Sequence, residues 1–324
     1  MNLRRIDNVL RSDLLRAVAL VLLALLLAQA LPVQAQALPR EVAVAPGVWA
    51  LVGSIGGPTR DNQALNATYG VVATPEGTIL IDSGASVQGA KLLAGLAQQL
   101  TGQPVRWVIN TGSQHHRWFG NEALRKSGAQ VIAHARTVQT QRSLASAQTA
   151  ELQTLLGDRF EGTLPVQAER VLSAARSELT LGGVRLEVLD LGDAHFPGDA
   201  VVWLPASRTV FAGDVVYAER LLSLAPLSNG PSWLQAFDRL VALGPVQIVP
   251  GHGAPTSVDV AQAQTGAYLR FITVGVARHA KEMAGVEAAL AELGNAPAFA
   301  ALANYEQLHR VNVNRAYLRA EAAN

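Results

Sequence analysis

Short apolar segments that each end in a glycine-containing polar loop are the feature that most restricts how this sequence can fold. Runs of about four to eight apolar residues bounded by turn residues are typical of buried strands. Histidine or aspartate stands in four of the loops that follow such runs, at 110–121, 192–199, 211–214 and 249–253. Side chains from separate loops can meet when the strand ends share one edge of a sheet. The pattern therefore predicts a layered α/β protein whose polar site lies at its strand ends.

Strands and helices are predicted to alternate along the chain. In the first half we predict strands at 42–44, 48–52, 69–73, 78–81, 105–109 and 130–133, with helices at 92–100, 121–126 and up to 156. In the second half we predict strands at 184–191, 200–204, 209–212 and 247–249, a helix beginning at Pro231, and a helical tail from Val258. The predicted fold class is α/β, a four-layer αββα sandwich of two mixed sheets with helices outside.

Composition excludes several other classes of protein. The chain has 324 residues, 49% of them hydrophobic, with 26 basic and 25 acidic side chains and no cysteine. Disordered chains have low hydrophobicity and a high net charge, and disulfide scaffolds need cysteine, so a globular chain stabilised by packing is predicted. A near-neutral chain also gives no electrostatic reason to expect nucleic acid as a partner.

The N-terminus resembles a secretory signal peptide. Four arginines within residues 1–16 precede an apolar run at 17–28, and small residues at Ala35 and Ala37 suit a cleavage site. An uncleaved membrane anchor is the alternative, but the run is shorter than the roughly 20 residues that a span requires. We therefore predict a signal peptide at 1–37, periplasmic location, and no membrane span after cleavage. The mature chain is divided into a catalytic-size domain at 38–256 and a helical extension at 257–324 packed on it.

Three histidines and one aspartate in the strand-end loops are candidate metal ligands. Three imidazoles and a carboxylate suit a borderline cation such as Zn²⁺. Neighbouring residues in an extended loop point in opposite directions, so either His116 or its neighbour His115 is expected to face the site. The candidates are His116, His195, Asp214 and His252.

Several of these segments resemble motifs of the metallo-β-lactamase superfamily, over nearly the whole mature chain. Leu80-Ile81-Asp82-Ser83-Gly84 is similar to that family's first strand end, and Pro250-Gly251-His252-Gly253 to its last ligand loop. His195 with Pro197-Gly198, and the strand ending in Asp214, are similar to two further ligand segments. The run at 201–222 and the helical tail also resemble exported members associated with quinoprotein and sulfur-oxidation gene neighbourhoods.

The first ligand loop departs from the family's pattern, Asn-Thr-His-x-His-x-Asp-His-x-x-Gly-Asn. Aligned without a gap, the two first histidines fall on Gly112 and Gln114, the aspartate on His116 and the last histidine on Arg117. Glycine offers no ligand atom and glutamine only an amide oxygen, so the first metal site keeps His195 as its one strong ligand. The resemblance then implies at most one zinc per chain, held by His116, Asp214 and His252.

The resemblance also suggests roles for the surrounding residues. Asp214 is expected to orient a water, His195 to ligate or act as general base, and Arg117 either to stabilise a developing anion or to balance Asp214. Hydrogen bonds that support the site are expected from three residues, Asp82, Asn121 and Asp199. Trp118 and Phe119 are expected either to form a wall of the cleft or to pack in the core.

Three functions are compatible with these residues. The leading hypothesis is a periplasmic metal-dependent hydrolase in which metal-activated water attacks an ester, thioester or amide of a small-molecule substrate. A second is a catalytically weakened or metal-free binding protein on the same fold, in a periplasmic redox or sulfur pathway. A third, a structural domain without a pocket, fits poorly with three retained ligand loops. The oligomeric state is left open.

Overall fold

Two β-sheets form the frame of the protein. The structure is a computed structural model that describes residues 39–323. The predicted signal peptide and its cleavage after Ala37 lie outside the described residues.

The first sheet contains seven strands in chain order. They are β1 (Arg40–Ala45), β2 (Val48–Val52), β3 (Thr68–Thr74), β4 (Gly77–Ile81), β5 (Val105–Asn110), β6 (Gln130–His134) and β7 (Arg170–Leu172). Strands β1 to β4 pair antiparallel, whereas β4, β5, β6 and β7 pair parallel. The parallel pairing brings the carboxyl ends of β4 and β5 to one edge, where Asp82 and Thr111 follow the two strands.

The second sheet contains five strands, in the spatial order β12-β11-β10-β9-β8. They are β8 (Arg176–Leu181), β9 (Val184–Asp190), β10 (Ala200–Leu204), β11 (Thr209–Tyr217) and β12 (Gln247–His252). Strands β11 and β12 are parallel, and the other pairs are antiparallel. Both sheets are thus mixed, as the sequence predicted.

Two strands are longer than the sequence analysis predicted. Strands β11 and β12 were expected to end at 212 and 249, with Asp214 and His252 in loops, but their pairing continues to Tyr217 opposite His252. A Cβ on Gly251 would lie 2.4 Å from the carbonyl oxygen of Gly213, so glycine permits the close approach of the two strands. Asp214 and His252 are consequently held by sheet hydrogen bonding rather than by free loops.

Alternating burial along the strands explains the layers. Ile79 and Ile81 of β4 face the second sheet and pack in one core with Val202 and Phe211. Leu80, between them, faces the opposite way and packs with Leu93. Helices cover both outer faces, which gives the predicted four-layer arrangement. They are α1 (Val87–Thr101), α2 (His115–Trp118), α3 (Asn121–Lys126), α4 (Ala135–Leu156), α5 (Gly230–Ala242), α6 (Val258–Ala261), α7 (Ala267–Lys281), α8 (Val286–Leu293) and α9 (Tyr305–Glu321).

The C-terminal helices share a core with the outer face of the second sheet. Val210 of β11 and Trp233 of α5 belong to the same buried cluster as Tyr268, Ile272 and Val313. The helical tail therefore packs directly on the sheet that carries Asp214. Within the described residues, the helices lack a stretch long and apolar enough to cross a membrane.

Candidate active site

Segments from both sheets converge on a cleft of about 290 Å³. Its lining includes Gln114 and His116 from the loop after β5, His195 from the loop between β9 and β10, and His252 at the end of β12. The chain connects these residues only through long intervals, and the sheet edge brings them together. The cleft therefore gathers three of the four predicted metal-ligand candidates, and the fourth, Asp214, lies behind its lining next to His252.

His116, Asp214 and His252 form the densest group of potential ligands. One ligand atom from each lies within 4.8 Å of the others, and all three side chains are buried. The Nδ1 atom of His252 is 2.7 Å from the Asn66 carbonyl oxygen, to which it donates. That bond leaves the Nε2 lone pair facing Asp214 Oδ1, at 3.3 Å. The tautomer of His252 is thus set for ligation.

His116 lies in the group with neither of its ring nitrogens bonded. Both Nδ1 and Nε2 are buried and lack a hydrogen-bond partner among the described residues. Burial, followed by the charge of Arg117, lowers the pKa of His116 well below its usual value, so the imidazole is neutral at pH 7. Buried polar atoms without partners are uncommon in folded proteins. His116 therefore has one unshared ring-nitrogen lone pair available as a ligand, beside a carboxylate and a second imidazole.

The loop that carries His115 and His116 is helical, so the prediction of an extended loop was wrong. Residues 115–118 form the single turn α2, in which the two imidazoles are neighbours with ring centroids 5.2 Å apart. His115 Nε2 lies 3.7 Å from Glu151 Oε1 of α4. Of the two histidines, His116 is the one that lies with Asp214 and His252. His115 also lines the cleft, on the side of Glu151.

Arg117 spans the two carboxylates beneath the cleft. It donates from Nη2 to Asp214 Oδ1 at 2.5 Å, from Nε to Asp214 Oδ2 at 3.3 Å, and from Nη1 to Asp82 Oδ2 at 2.9 Å. The side chain is fully buried. Burial opposes ionisation of Asp214, but the charge of Arg117 outweighs it and holds the pKa of Asp214 well below its usual range. Arg117 therefore balances the charge of Asp214, which is one of its two predicted roles. The other predicted role, direct stabilisation of a substrate anion, was wrong, because Arg117 is fully buried and does not line the cleft.

Asp82, Asn121 and Asp199 support the loops around the site. Asp82 accepts from the Thr111 amide and hydroxyl, both at 2.7 Å, and burial raises its pKa to about 6. Asn121 exchanges hydrogen bonds with the side chain of Asn110, at 2.8 and 3.1 Å. Asp199 accepts from the Phe196 amide at 2.8 Å. Burial and the neighbouring Asp214 raise the pKa of Asp199 well above its usual value.

The cleft floor has two halves: one holds His116, Asp214 and His252, and the other, formed by Gly112, Gln114 and His195, has weaker ligands. The side-chain amide of Gln114 contacts His195 Nε2, and Ser228 Oγ lies 3.3 Å from His195 Nδ1. At the position of Gly112, a Cβ would lie 3.0 Å from Asp199 Oδ1. Burial lowers the pKa of His195 to about 4. This half offers one imidazole and one neutral amide.

The remaining aromatic and histidine candidates are structural. Trp118 and Phe119 are fully buried and pack together in a core cluster, so of their two predicted roles they have the core one. His134 accepts from the Arg136 amide at the start of α4, as expected for a helix cap. His279 and His309 are buried among the C-terminal helices.

Residues 63–252 match the family model of the metallo-beta-lactamase superfamily, over more than half of the chain. The chain belongs to this superfamily. The matched segment begins before β3 and ends at His252, so it contains every residue of the proposed ligand group. The helical tail lies beyond the matched region of this superfamily member.

Two curated relatives match parts of the chain. The alpha subunit of 2,4-dinitroanisole O-demethylase from Nocardioides sp. (strain JS1661) is 26% identical over 151 residues, which are 46% of this chain and 41% of that protein. A type 2 metallo-beta-lactamase from Bacteroides fragilis is 30% identical over 79 residues, which are 23% of this chain and 32% of that protein. The alignments thus span less than half of each relative.

Solved structures of the superfamily share the fold. A metallo-beta-lactamase from Pontibacter korlensis aligns with a TM-score of 0.57 at 22% identity, covering 72% of this chain and 99% of that one. A double mutant of the sec-alkyl sulfatase PisA1 aligns with a TM-score of 0.64 at 15% identity, covering 87% of this chain and 50% of that one. At identities this low, the alignments show a common fold. The chemistry has to be argued from the residues of the site.

The donor set of this superfamily member fits a single cation. Two ligands bound to Zn²⁺ at tetrahedral angles lie about 3.3 Å apart, given Zn–N and Zn–O distances of roughly 2.0–2.2 Å. The separation between His252 Nε2 and Asp214 Oδ1 equals that value. His116, Asp214 and His252 would hold the metal, because they supply two neutral imidazoles and an ionised carboxylate, and the His116 ring nitrogens have no partner among residues 39–323.

Arg220, Tyr217, Ser228 and Glu151 surround the cleft or its histidines and were missed by the sequence analysis. Tyr217 stacks on His252 with ring centroids 4.8 Å apart. Arg220 lies six residues after Asp214, behind the apolar stretch at 215–218 and next to Glu219. A pair of opposite charges directly after an apolar strand is a signal that could have drawn attention to this loop.

Proposed function

We propose that this protein is a metal-dependent hydrolase that uses one cation, held by His116, Asp214 and His252. The observation that carries the proposal is the buried imidazole of His116, which lies beside two further ligands and whose ring nitrogens have no hydrogen-bond partner in the described part of the chain. When bound, a cation such as Zn²⁺ supplies Lewis acidity, which lowers the pKa of a coordinated water from 15.7 toward about 7. The other parts of the site prepare the ligands and the substrate.

Arg117 and the backbone prepare the ligands. Because Arg117 bonds both oxygens of Asp214, the carboxylate stays ionised and its plane is fixed. The bond from His252 Nδ1 to Asn66 keeps the Nε2 lone pair directed at the site. Asp214 and His252 are thus oriented before any metal binds, which reduces the reorganisation that binding requires.

Gln114 and His195 face the same cleft and would hold the substrate. The Gln114 amide can donate to an oxygen on which negative charge develops, as oxyanion-hole donors do. His195 is neutral at pH 7, because burial lowers its pKa to about 4. Its Nε2 contacts the Gln114 amide, so it can accept a hydrogen bond from the attacking water once that amide turns to the substrate oxygen.

We propose an ester, thioester or amide as the substrate class, since attack of water on a carbonyl suits one Lewis acid and one amide donor. The names of similar proteins describe different bonds: an aryl ether for the Nocardioides O-demethylase subunit, a lactam for the Bacteroides enzyme and a sulfate ester for PisA1. Superfamily membership alone is compatible with each of these, so the substrate must be established by assay.

We also propose that the protein acts in the periplasm after cleavage near Leu38, among exported members associated with quinoprotein or sulfur pathways. The arginine-rich start and the apolar run at 17–28 support this location. Intact-mass spectrometry of protein recovered from the periplasm should give an N-terminus near Leu38. Residues 1–37 still attached to that protein would contradict the proposal.

A metal-removal experiment tests the hydrolase function. Protein purified without chelator should hydrolyse at least one of a panel of neutral p-nitrophenyl esters, acyl thioesters and anilides. Treatment with a chelator should abolish turnover, and one equivalent of Zn²⁺ should restore it. His116→Asn should remain inactive after zinc is added, whereas His279→Asn, a buried histidine in α7 far from the ligand group, should behave as wild type.

A binding protein without catalytic metal is the second candidate. Its supporting observation is that Arg117 already neutralises Asp214, as a cation would, while Gly112 and Gln114 remove two of the family's usual ligands. Chelator-insensitive binding of a small molecule, with no hydrolysis by the zinc-loaded protein, would favour this function over the hydrolase.

A further inference from the structure

A second cavity, the tail cavity, lies between the C-terminal helices. It measures about 650 Å³ and is bounded by α7, α9 and the segment at 224–231. Small-molecule sites in proteins measure roughly 300–1,000 Å³. Ile272 and Val276 line the tail cavity from one face of α7, and Ala316 and Ala320 line it from one face of α9. The two helices therefore border a space of ligand size with apolar side chains.

The lining of the tail cavity suits a flexible hydrocarbon chain. Among the described residues that form the lining, none is aromatic, so a planar ring would find no stacking partner. Leu318 of the lining is 51% exposed, and Leu227, within the segment at 224–231, is 40% exposed. Contiguous apolar surface that borders a cavity is typical of ligand-binding grooves.

Two arginines give the lining a positive charge. Arg315 is half-buried and donates from Nη1 to the Leu224 carbonyl at 2.7 Å, and Arg319 follows one turn later on α9. In the described part of the chain, the ion pairs within 4.0 Å include neither of these arginines. The described lining contains no acidic residue, and Glu321 of α9 accepts from the Tyr317 hydroxyl at 3.2 Å. The two positive charges are therefore available to an anion.

The tail cavity is distinct from the cleft and shares one wall with it. Ala225 belongs to both linings. Ser228 also lines the tail cavity, and its Oγ donates to the His195 carbonyl at 2.7 Å. The proposed metal ligands lie outside the lining of the tail cavity. A molecule in the tail cavity would therefore be a second ligand and not the substrate of the cleft.

We propose that the tail cavity binds a free medium-chain fatty acid, with its alkyl chain between α7 and α9 and its carboxylate at Arg315 and Arg319. A guanidinium presents paired N–H groups that match the two oxygens of a carboxylate. Burial of each methylene between the helices increases affinity about 4-fold. This site is independent of the proposed hydrolase function, because the two arginines and the apolar faces belong to the helical tail and not to the ligand group.

A series of fatty acids tests the proposal by calorimetric titration. Metal-free protein is used because carboxylates also ligate zinc. Hexanoate, octanoate and decanoate, each below its critical micelle concentration, should bind with affinities that rise about 15-fold for each added pair of methylenes. Decanol has the chain of decanoate without its charge and should bind at least about 10-fold more weakly. Equal affinities along the series, or for decanol and decanoate, would overturn the proposal.

Two double variants separate recognition of the carboxylate from overall charge. Arg315→Gln combined with Arg319→Gln should weaken decanoate binding at least about 10-fold and change decanol binding by less than about 3-fold. Arg185→Gln combined with Arg270→Gln removes two exposed arginines that lie in ion pairs elsewhere, and should leave both affinities unchanged. Equal affinity of the two double variants for decanoate would overturn the proposal.

A filled cavity tests the site without a change in charge. Ala320→Phe should weaken decanoate and decanol alike, by at least about 10-fold. Ala150→Phe, at an exposed position of α4, is the matched control and should bind both as wild type does. Dimerisation of wild type that Ala320→Phe abolishes, without decanoate binding to either protein, would assign this face to a second copy of the chain and overturn the proposal.

Arg319→Gln alone keeps the test valid if the other variants fail to fold, because the position is exposed. It should weaken decanoate binding about 2- to 5-fold, as expected for loss of an exposed ion pair. An unchanged decanoate affinity in this folded variant would overturn the proposal.

Discussion

The two halves of the cleft floor differ in what their residues leave available. On one side, His116, Asp214 and His252 present two imidazoles and a carboxylate whose ligand atoms lie within 4.8 Å of one another. On the other side, His195 faces the amide of Gln114, and Gly112 offers no side chain. The cleft floor is thus asymmetric: Asp214 and His252 lie on two paired strands of one sheet, whereas the loop after β5 supplies His116 to one side and only Gln114 to the other.

The two buried arginines show the same contrast. Arg117 bonds two carboxylates and two carbonyl oxygens beneath the ligand group, so its charge is fully used within the protein. Arg220 has one carbonyl partner beside the cleft. Arg117 therefore stabilises the site, whereas Arg220 has a buried Nε without a partner among residues 39–323. Burial alone does not distinguish these two arginines; their partners do.

The largest effect is expected from Asp214→Asn. The substitution removes the only ionised ligand and leaves Arg117 without its closest carboxylate, so metal affinity and turnover should each fall by at least about 10-fold. Zinc affinity by competition with a chromophoric chelator and ester turnover measure the two effects. Asp190→Asn, at the end of β9 outside the ligand group, is the matched control. Full zinc content and full activity in Asp214→Asn would mean that the metal binds elsewhere.

Alanine in place of His252 or His195 compares the two halves directly. His252→Ala removes one of three ligands and should lower zinc affinity by at least about 10-fold, whereas His195→Ala should change it by less than about 3-fold. Turnover should fall in both variants, because His195 contacts the substrate side of the cleft. Elemental analysis after desalting is the measurement. A greater loss of zinc from His195→Ala would assign the metal to the opposite half.

Gln114→His is expected to strengthen the weak half. The new imidazole would stand beside His195 and supply a second strong ligand there, so zinc content should rise above one equivalent when zinc is in excess. Gln148→His places a histidine elsewhere in the cleft lining and serves as the control. Equal zinc content in Gln114→His and wild type would show that two imidazoles are too few without a ligand at position 112.

Asn312→Ala should have the smallest effect. It removes two hydrogen bonds to the loop at 222–224, each contributing about 0.5–1.5 kcal/mol to the free energy of unfolding. Zinc affinity and KM should both change by less than about 3-fold, because the ligands lie on other elements and Asn312 contacts only the backbone of that loop. Thermal unfolding and steady-state kinetics measure both. A loss of zinc would show that the tail also positions the ligands.

Much of the fold could be predicted from the sequence, because apolar runs and turn residues are local signals. The strand at 200–204 and the helix at 121–126 have the predicted limits. Strands β7 and β8 were missed, since β7 has only three residues and β8 has charged side chains on an edge. The continuation of β11 through Gly213 was missed because glycine is normally a break, and only its neighbour β12 shows why it is tolerated here.

The candidate site was predicted less completely than the fold. His116, Asp214 and His252 could be selected because glycine-flanked histidine and aspartate at strand ends are readily recognised. The partners of Arg117 and the lack of an ion pair at Arg220 among the described residues could not be predicted in this way. They depend on contacts between distant residues, such as Arg117 and Asp214, which are 97 residues apart. Whether a buried charge has partners depends on residues that become neighbours only in the folded protein, and the sequence alone does not identify them.

The position of the metal is the most direct test of the single-cation site. Crystals of the zinc-incubated protein, measured on both sides of the zinc absorption edge, would give an anomalous difference map. We predict one peak in the cleft, about 2.0–2.2 Å from a ring nitrogen of His116, from Asp214 Oδ1 and from His252 Nε2. A peak beside His195 and Gln114 alone, or a cleft without a peak at saturating zinc, would contradict the account.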